Sequence, residues 1–293
     1  MYKPYVVSED IGLLLQDWAA RNGFTMPSSE FFYRLREAFS VQMRRIFPSF
    51  ELVSEREISQ GLADLVAESG LPAVSLDKVY SKSELNFEIT RLVDEKGKSC
   101  GWSNRAGTPP IPQQLEALRA SGIKEAVLVD DVIFSGDMLE MITDLFLTAG
   151  IRVPLICAGI GIAEGIRRIN GTRREVRCVR VFDQVIDEVC ERDFYPGTPL
   201  SGRLLSGSMN IGVPYIFPFG NPEDWASIPS EHATTFSRFC LGQTILLFDE
   251  IERCSGREIL CQDLGRKVFS LPANGVRYTD VLREVNGRSV LQN

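Results

Sequence analysis

A strand, a helix and a second strand follow one another directly in the middle of this sequence, and this order constrains the fold more than any other feature. The apolar run AVLVD precedes GDMLEMITDLFLTAG, in which Leu139, Ile142, Leu145 and Phe146 share one helical face, and VPLICAGIGI comes next. Elements in this order form a βαβ unit whose strands pair in parallel. The expected core is therefore an α/β fold, with a parallel sheet covered by helices on both faces.

The segments on either side of this unit have different patterns. Upstream, one amphipathic helix is expected to start at Ser28 or Ser29, and a second starts with the S-x-x-E capping pair Ser54 and Glu57. After about residue 190, prolines recur too often for one long helix. We predict an N-terminal helical cap over residues 1–70, an α/β core over 71–190, and a hood and tail over 191–293, rich in proline, glycine and aromatic residues, that packs on the core.

Charge and composition argue against several classes of protein. The 293 residues include 32 basic and 39 acidic side chains, giving a formal net charge of -7, which disfavours binding to nucleic acid through overall charge. No apolar run is long enough to span a bilayer and the N-terminus lacks a signal-peptide pattern, so we expect a cytoplasmic protein without a membrane partner. The seven cysteines form no C-x-x-C pair and His232 is the one histidine, so a zinc site is not expected.

Two adjacent acids, Asp130 and Asp131, end the first strand of the βαβ unit. In an open α/β sheet, ligands bind beyond the carboxyl ends of the strands, where the next helix offers free N–H groups. Adjacent strand residues point to opposite faces, so this pair is better suited to accepting hydrogen bonds from hydroxyl groups, or to holding a hydrated cation, than to sharing a proton. The Ser135-Gly136 turn adds a hydroxyl and accessible amides for a phosphate. Together these features suggest a phosphorylated ribose.

The stretch VLVDDVIFSGDM resembles the phosphoribosyl-pyrophosphate (PRPP) signature of type I phosphoribosyltransferases. The resemblance implies a Rossmann-like parallel-sheet core with a hood, and Mg²⁺ that bridges the ribose hydroxyls and the pyrophosphate without a direct protein ligand. Carried over by position, Asp130 and Asp131 are the catalytic candidates and contact the 2- and 3-hydroxyls of the ribose. The loop that would line the 5-phosphate comprises Ile133, Phe134, Ser135, Gly136, Asp137 and Met138.

Three positions depart from the family pattern. Phe134 replaces a common threonine, Met138 replaces a hydroxyl-bearing residue, and Asp137 places a carboxylate where a phosphate is expected. A negative side chain beside a phosphate weakens binding unless it points away or meets a cation. The pyrophosphate loop of the family has no clear counterpart, and its candidate residues are Lys78 and Lys82 in SLDKVYSKS, Arg91 in EITRL and Arg105 in SNRAG.

The DDVIFSGDM form and the segment WASIP are also similar to divergent phosphoribosyltransferase-like proteins of bacterial conflict and anti-phage gene clusters. The first hypothesis is a transferase that uses PRPP and Mg²⁺ to transfer ribose 5-phosphate to a nitrogen nucleophile, with release of pyrophosphate. The alternative is a non-catalytic or repurposed PRPP- or nucleotide-binding subunit of a defence assembly, for example a retron-like one, or of a regulatory assembly. A hydrolase or nucleotide-processing enzyme using the same pocket stays open. Expected partners are a phosphoribosyl or nucleotide ligand, a second copy of the chain, and a defence protein or nucleic acid.

Each of these features also has a purely structural interpretation. An Asp pair at a strand end is often a helix cap, but the apolar run before it and the small turn after it favour a ligand site. A response-regulator receiver is disfavoured because VPLICAGIG ends without a phosphoacceptor aspartate. The arginine-rich RRINGTRREVR is more typical of a solvated helix end than of a nucleic-acid surface. The aromatic residues Tyr215, Phe217, Phe219 and Trp225 suit a base-stacking pocket, although each alone is more often part of a hydrophobic core.

Overall fold

The computed structural model describes residues 3–288, which form two compact units with separate hydrophobic cores. The first unit comprises Val53–Thr90 and Trp102–Val185, and the second comprises Pro4–Leu52, Arg91–Gly101 and residues 186–288. Residues 53–70, predicted as part of the N-terminal cap, thus belong to the same unit as the predicted α/β core. Residues 4–52 belong instead with the C-terminal part of the chain.

The described residues contain the following strands and helices. The strands are β1 (Tyr5–Ser8), β2 (Phe50–Val53), β3 (Ala73–Ser75), β4 (Leu85–Asn86), β5 (Ile89–Val93), β6 (Ser99–Asn104), β7 (Glu125–Ile133), β8 (Arg152–Ile162), β9 (Glu175–Phe182), β10 (Asp187–Cys190), β11 (Arg203–Leu205), β12 (Ile211–Val213) and β13 (Lys267–Val268). The helices are α1 (Ile11–Asn22), α2 (Ser29–Ile46), α3 (Glu55–Ser69), α4 (Ile111–Ala120), α5 (Asp137–Thr148), α6 (Ala163–Asn170), α7 (Pro222–Ala226), α8 (Ser230–Ser255) and α9 (Tyr278–Arg288).

A five-stranded parallel sheet forms the centre of the first unit. Its strand order is β4-β3-β7-β8-β9, and each neighbouring pair runs in parallel. The predicted βαβ unit is β7, α5 and β8, so the expected α/β class with a parallel sheet is confirmed. Parallel strands place all their carboxyl ends at one edge, and in this unit that edge includes the residues that follow β3 and β7.

The central strand β7 is longer than the sequence indicated. We expected it to end at Asp131 and the turn to begin at Ile133, but Val132 pairs with Ile160 and Ile133 pairs with Gly161 of β8. The ladder continues because these apolar residues find partners in the neighbouring strand, a contact that local patterning does not show. The turn into α5 is therefore limited to residues 134–136.

Apolar side chains from the sheet and its helices form the core of the first unit. Phe146 of α5 is fully buried, and its ring meets Phe87 edge to face with 5.1 Å between centroids. Burying such a side chain stabilises the fold by about 1.5–3 kcal/mol. Helix α3 starts as predicted, with the Ser54 hydroxyl accepting a hydrogen bond from the N–H of Glu57 at 3.2 Å, and it lies against β8 and β9.

Two further sheets have the strand orders β10-β1-β2 and β13-β12-β11-β5-β6. Most of their residues belong to the second unit, which includes residues 91–93 of β5 and 99–101 of β6. Helix α2 begins after Ser28, one of the two predicted starts, and the Ser28 hydroxyl accepts from the N–H of Phe31. Strands β1 and β2 lie within the segment that we predicted as a helical cap, beside helices α1, α2 and α3. Strand β1 forms because it pairs in parallel with β10, placing Tyr5 opposite Asp187, and a partner so distant in sequence leaves no local signal.

All seven cysteines are free thiols, and Cys157 and Cys178 lie in β8 and β9. None of the helices within residues 3–288 combines the length and apolar character needed to cross a bilayer.

Candidate functional site

Asp130 is a buried carboxylate near the carboxyl end of β7. The side chain is 4% exposed, and its Oδ1 accepts a hydrogen bond from the N–H of Asp131 at 3.0 Å. Its other oxygen, Oδ2, is buried and accepts no hydrogen bond from any residue between 3 and 288. Burial raises the pKa of Asp130 well above its usual range, and the charges of Asp131 and Asp77 add to this effect. A hydroxyl donor to Oδ2 would favour the ionised form.

Asp77 lies at the end of the neighbouring strand β3 and completes an acidic cluster with Asp130 and Asp131. Its carboxylate accepts three backbone hydrogen bonds from the loop that follows, from Val79 at 2.9 Å, Tyr80 at 2.6 Å and Ser81 at 2.7 Å. Burial and then the charge of Asp131 raise the pKa of Asp77 to about 6, and the three N–H donors oppose this shift. Asp77 therefore shapes the loop that we proposed for pyrophosphate.

From the sequence we predicted a role in pyrophosphate binding for Lys78 and Lys82 of this loop, and none for Asp77. Asp77 follows the apolar run AVSL just as Asp130 follows AVLV. A second acid directly after a predicted parallel strand was the signal that would have identified it, because such strand ends share one edge of the sheet.

Two of the predicted pyrophosphate-binding cations, Lys78 and Arg105, meet at the side chain of Glu88. Lys78 forms an ion pair with Glu88, and the Nε of Arg105 lies 3.6 Å from the Oε2 of Glu88. A nitrogen of the Arg105 guanidinium also donates to the carbonyl of Leu76, directly before Asp77, at 3.1 Å. The positive charge of Arg105 lowers the pKa of Asp130, although less than burial raises it. These two cations therefore belong to the same site as the acidic cluster.

The two other predicted cations occupy different positions. Lys82 is exposed and lies in the loop after Asp77, in the first unit. Arg91 belongs to the second unit, where its charge slightly lowers the pKa of Tyr215, although burial raises that pKa to about 12. In the second unit Tyr215 also packs against Trp225 at 5.4 Å between ring centroids. The structure therefore groups Lys78 and Arg105 with the acidic cluster and places Arg91 in the second unit.

The turn between β7 and α5 is short and tightly packed. Phe134 is 42% exposed, and Gly136 has a φ of 81°, a left-handed conformation that glycine adopts without strain. Helix α6 passes close behind, because a Cβ on Gly165 would lie 2.3 Å from the carbonyl oxygen of Phe134. The turn is therefore held by direct contact with α6.

The side chains of this turn already have partners. The Ser135 hydroxyl donates to a carboxylate oxygen of Asp137 at 2.7 Å, and Arg168 of α6 forms an ion pair with Asp137. From the sequence we predicted only that Arg168 lies at a solvated helix end. The N-cap residue Gly136 supplies no side-chain cap for α5, although the N–H of Asp137 donates to the Ser135 hydroxyl at 3.4 Å. The next N–H groups of the first turn, those of Met138 and Leu139, keep the geometry that binds an anion.

Two further members of the predicted loop contribute through the fold. Ile133 is 1% exposed, and its side chain belongs to the core of the first unit. Met138 is partly buried and packs against the same core. Its position in the first turn of α5 leaves the backbone N–H as the group directed toward the loop.

The carboxylate oxygens at this edge can accept hydrogen bonds from hydroxyl groups or bind a hydrated divalent cation. The acidic cluster offers only oxygen atoms, which Mg²⁺ prefers, and Asp130 Oδ2 is an acceptor that the protein itself does not use. Within residues 3–288, no group of three or more His, Cys, Asp or Glu side chains is arranged so that it could hold a metal ion. The carboxylate oxygens of the acidic cluster are the ligand type that Mg²⁺ prefers.

No protein-family model matches this sequence, and no curated protein matches it either. Solved structures with some similarity include UMP synthase from Leishmania donovani, at 10% identity and a TM-score of 0.26, covering 45% of this chain and 28% of that chain. Orotate phosphoribosyltransferase from Aeropyrum pernix has 14% identity and a TM-score of 0.25, covering 42% and 68%. A phosphoribosyltransferase from Corynebacterium diphtheriae has 12% identity and a TM-score of 0.27, covering 44% and 79%.

The matched part of this chain thus spans less than a third of the length of the UMP synthase. At these identities and TM-scores, function has to be derived from the geometry of the site.

Proposed function

We propose that the edge formed by β3, β7 and the start of α5 binds PRPP with Mg²⁺. The protein would then transfer ribose 5-phosphate to a nitrogen nucleophile with release of pyrophosphate. The observation that carries this proposal is the buried Oδ2 of Asp130, an acceptor that no residue within 3–288 satisfies, close in sequence to a helix start whose N-cap residue, Gly136, supplies no side-chain cap. Ribose hydroxyls and a 5-phosphate, separated by one short turn, match this combination.

Each part of the site has a role in this reaction. Asp130 and Asp131 accept hydrogen bonds from the ribose hydroxyls, and the N–H groups of the turn after β7 hold the 5-phosphate. The nucleophile forms a bond to C1 of the ribose while the bond from C1 to the pyrophosphate oxygen breaks, and the electron pair leaves with pyrophosphate. Catalysis would come from positioning and from charge stabilisation.

Bound Mg²⁺ would neutralise charge on the leaving pyrophosphate. Lys78 and Arg105, which lie beside the acidic cluster, are the side chains that would contact its oxygens.

A second candidate function keeps the binding site and omits the turnover. Lys78 and Arg105 are both engaged by Glu88, which favours a protein that binds a ribose phosphate without handling pyrophosphate. Such a protein would serve as the nucleotide-binding subunit of an assembly. With this second function we also propose membership of an anti-phage or regulatory assembly, in the cytoplasm. Its partners would be a second copy of the chain, another protein or a nucleic acid.

Calorimetry with Mg²⁺ and either PRPP or ribose 5-phosphate tests the proposal. The parent is expected to bind both ligands, and an Asp130→Asn, Asp131→Asn double variant is expected to lose both. Asp144→Asn is the control, because Asp144 is an exposed carboxylate on α5. Identical binding by the parent and the double variant, or no binding by the parent, contradicts the proposal. Release of pyrophosphate from PRPP by the parent distinguishes the transferase from the binding subunit.

A further inference from the structure

Glu88 is an internal anion placed between the two cations of the site. Its side chain is 11% exposed and forms an ion pair with Lys78, and its Oε2 lies 3.6 Å from the Nε of Arg105. That oxygen is buried and makes no hydrogen bond with any part of the chain between residues 3 and 288. A carboxylate oxygen with spare acceptor capacity next to two cations occupies the kind of position that a phosphate oxygen takes in a complex.

The backbone around Glu88 is fixed on both sides. The Glu88 N–H donates to Oε1 of Gln114 at 2.7 Å, and Nε2 of Gln114 donates back to the Glu88 carbonyl at 3.1 Å. The N–H of Arg105 donates to the same carbonyl at 3.2 Å. Because three hydrogen bonds hold this residue, a ligand cannot relieve the competition by moving the segment away. The ligand has to compete with the side chain itself.

The two cations also affect each other. Partial burial lowers the pKa of Lys78, and the positive charge of Arg105 lowers it further. Glu88 offsets this repulsion. Asp77 also acts on Lys78 with the opposite sign to Arg105. Removing the charge of Glu88 would leave less negative charge beside Lys78 and Arg105, so the pair would attract a phosphate or diphosphate more strongly.

We infer that Glu88 is a specificity-determining residue that competes with the pyrophosphate group of a ligand for Lys78 and Arg105. The inference rests on the proposed function, because it assumes that a phosphorylated ribose binds at the same edge. Glu88 lowers the affinity of the site for diphosphate-bearing ligands. Ligands that carry only a 5-phosphate are unaffected, since their phosphate lies at the turn after β7.

The test compares pyrophosphate with ribose 5-phosphate, each titrated with Mg²⁺ into the parent and into Glu88→Gln. The variant keeps the size of the side chain and removes its charge. Pyrophosphate is expected to bind at least about fivefold more tightly to the variant, the effect of one unit charge at about 4 Å in water, while ribose 5-phosphate changes by less than about twofold. Glu84→Gln is the control, because Glu84 is exposed on the same segment.

Other outcomes separate this inference from the proposed function. Unchanged or weaker pyrophosphate binding by Glu88→Gln overturns the role of Glu88, and so does an equal change for both ligands. If the parent does not bind ribose 5-phosphate, the proposed function fails, while the pyrophosphate comparison still tests Glu88. Thermal unfolding checks that the variant folds. If it does not, Glu88→Asp, which keeps the charge but shortens its reach, is expected to bind pyrophosphate more tightly than the parent, and no gain would overturn the inference.

Discussion

The guanidinium of Arg168 in α6 forms an ion pair with the carboxylate of Asp137 at the start of α5. Arg168 also contacts Glu140, one turn further along α5, with 2.6 Å between Nη2 and Oε2. The sequence alone raised the objection that an acid at position 137 would repel a phosphate. The ion pair answers this objection, because the negative charge is matched by a cation from a neighbouring helix.

Arg168→Gln is expected to weaken binding of ribose 5-phosphate by about two- to fivefold, a modest factor because the pair is exposed and screened. The loss arises because Asp137 then keeps an uncompensated charge beside the phosphate. An Asp137→Asn, Arg168→Gln double variant should recover most of the affinity, and Arg167→Gln, an exposed neighbour, should match the parent. Calorimetry at low and high salt measures both effects. A double variant no better than Arg168→Gln would contradict the explanation.

Asp130→Asn is expected to stabilise the fold and abolish ligand binding. The folded-state pKa of Asp130 is raised by burial, above an unfolded value of about 3.9, so the native state binds this proton more tightly. The stability linked to that proton is present below about pH 4 and is lost as the pH rises. A neutral asparagine avoids the loss, so its melting temperature should exceed that of the parent at pH 7.5 and approach it near pH 4. A variant less stable than the parent at pH 7.5 would show that the Asp130 charge is well tolerated.

Asp77→Ala is expected to destabilise the first unit by about 1–3 kcal/mol, since the backbone donors of Val79, Tyr80 and Ser81 lose their acceptor. The pKa of Asp77 is raised to about 6, so its own contribution is fully present below about pH 4 and is lost as the pH rises through 6. Urea unfolding should therefore give a larger difference between parent and variant at pH 4 than at pH 7. Asp144→Ala is the control, and a difference that grows with pH would contradict this assignment.

Gly165→Ala tests the contact between α6 and the turn after β7. The added methyl group would meet the carbonyl oxygen of Phe134 at 2.3 Å, so the turn has to move, at a cost of about 1–3 kcal/mol in the free energy of unfolding. Weaker binding of ribose 5-phosphate should accompany this loss. Gly242→Ala is the matched control, because its added methyl group meets no atom within 4 Å. Full binding by a stably folded Gly165→Ala would separate the turn from the phosphate site.

Local patterns were enough to predict the βαβ unit and the two capped helices. Strand β7, helix α5 and strand β8 each carry their own apolar periodicity, and Ser28 and Ser54 cap helices within three residues of sequence. Strands β1 and β2 were missed because each has four residues. Strand β1 is defined by pairing with β10, which lies far away in sequence. Pairing between distant strands follows from tertiary packing, which no short window of sequence contains.

The same distinction applies to the candidate site. Asp130, Asp131 and the Ser135-Gly136 turn lie in one continuous stretch, so the sequence was sufficient to predict them as a group. Asp77 joins them through strand pairing between β3 and β7. Glu88 and Arg168 act through ion pairs with residues 10 to 31 positions away, and composition gives no sign of such pairs. Their roles as predicted here depend on the fold.

The second unit brings together residues 4–52, 91–101 and 186–288, whereas the chain of the first unit is complete by Val185. On the ribosome, the apolar N-terminal segment, including Tyr5, Phe39 and Met43, emerges well before β10, α8 and α9, which complete its core. Domains generally fold as units while synthesis proceeds. Residues 4–52 therefore find their native partners only after residues 186–288 have been made. A cell that produces this protein has to keep that segment from associating with other nascent chains until α9 is made.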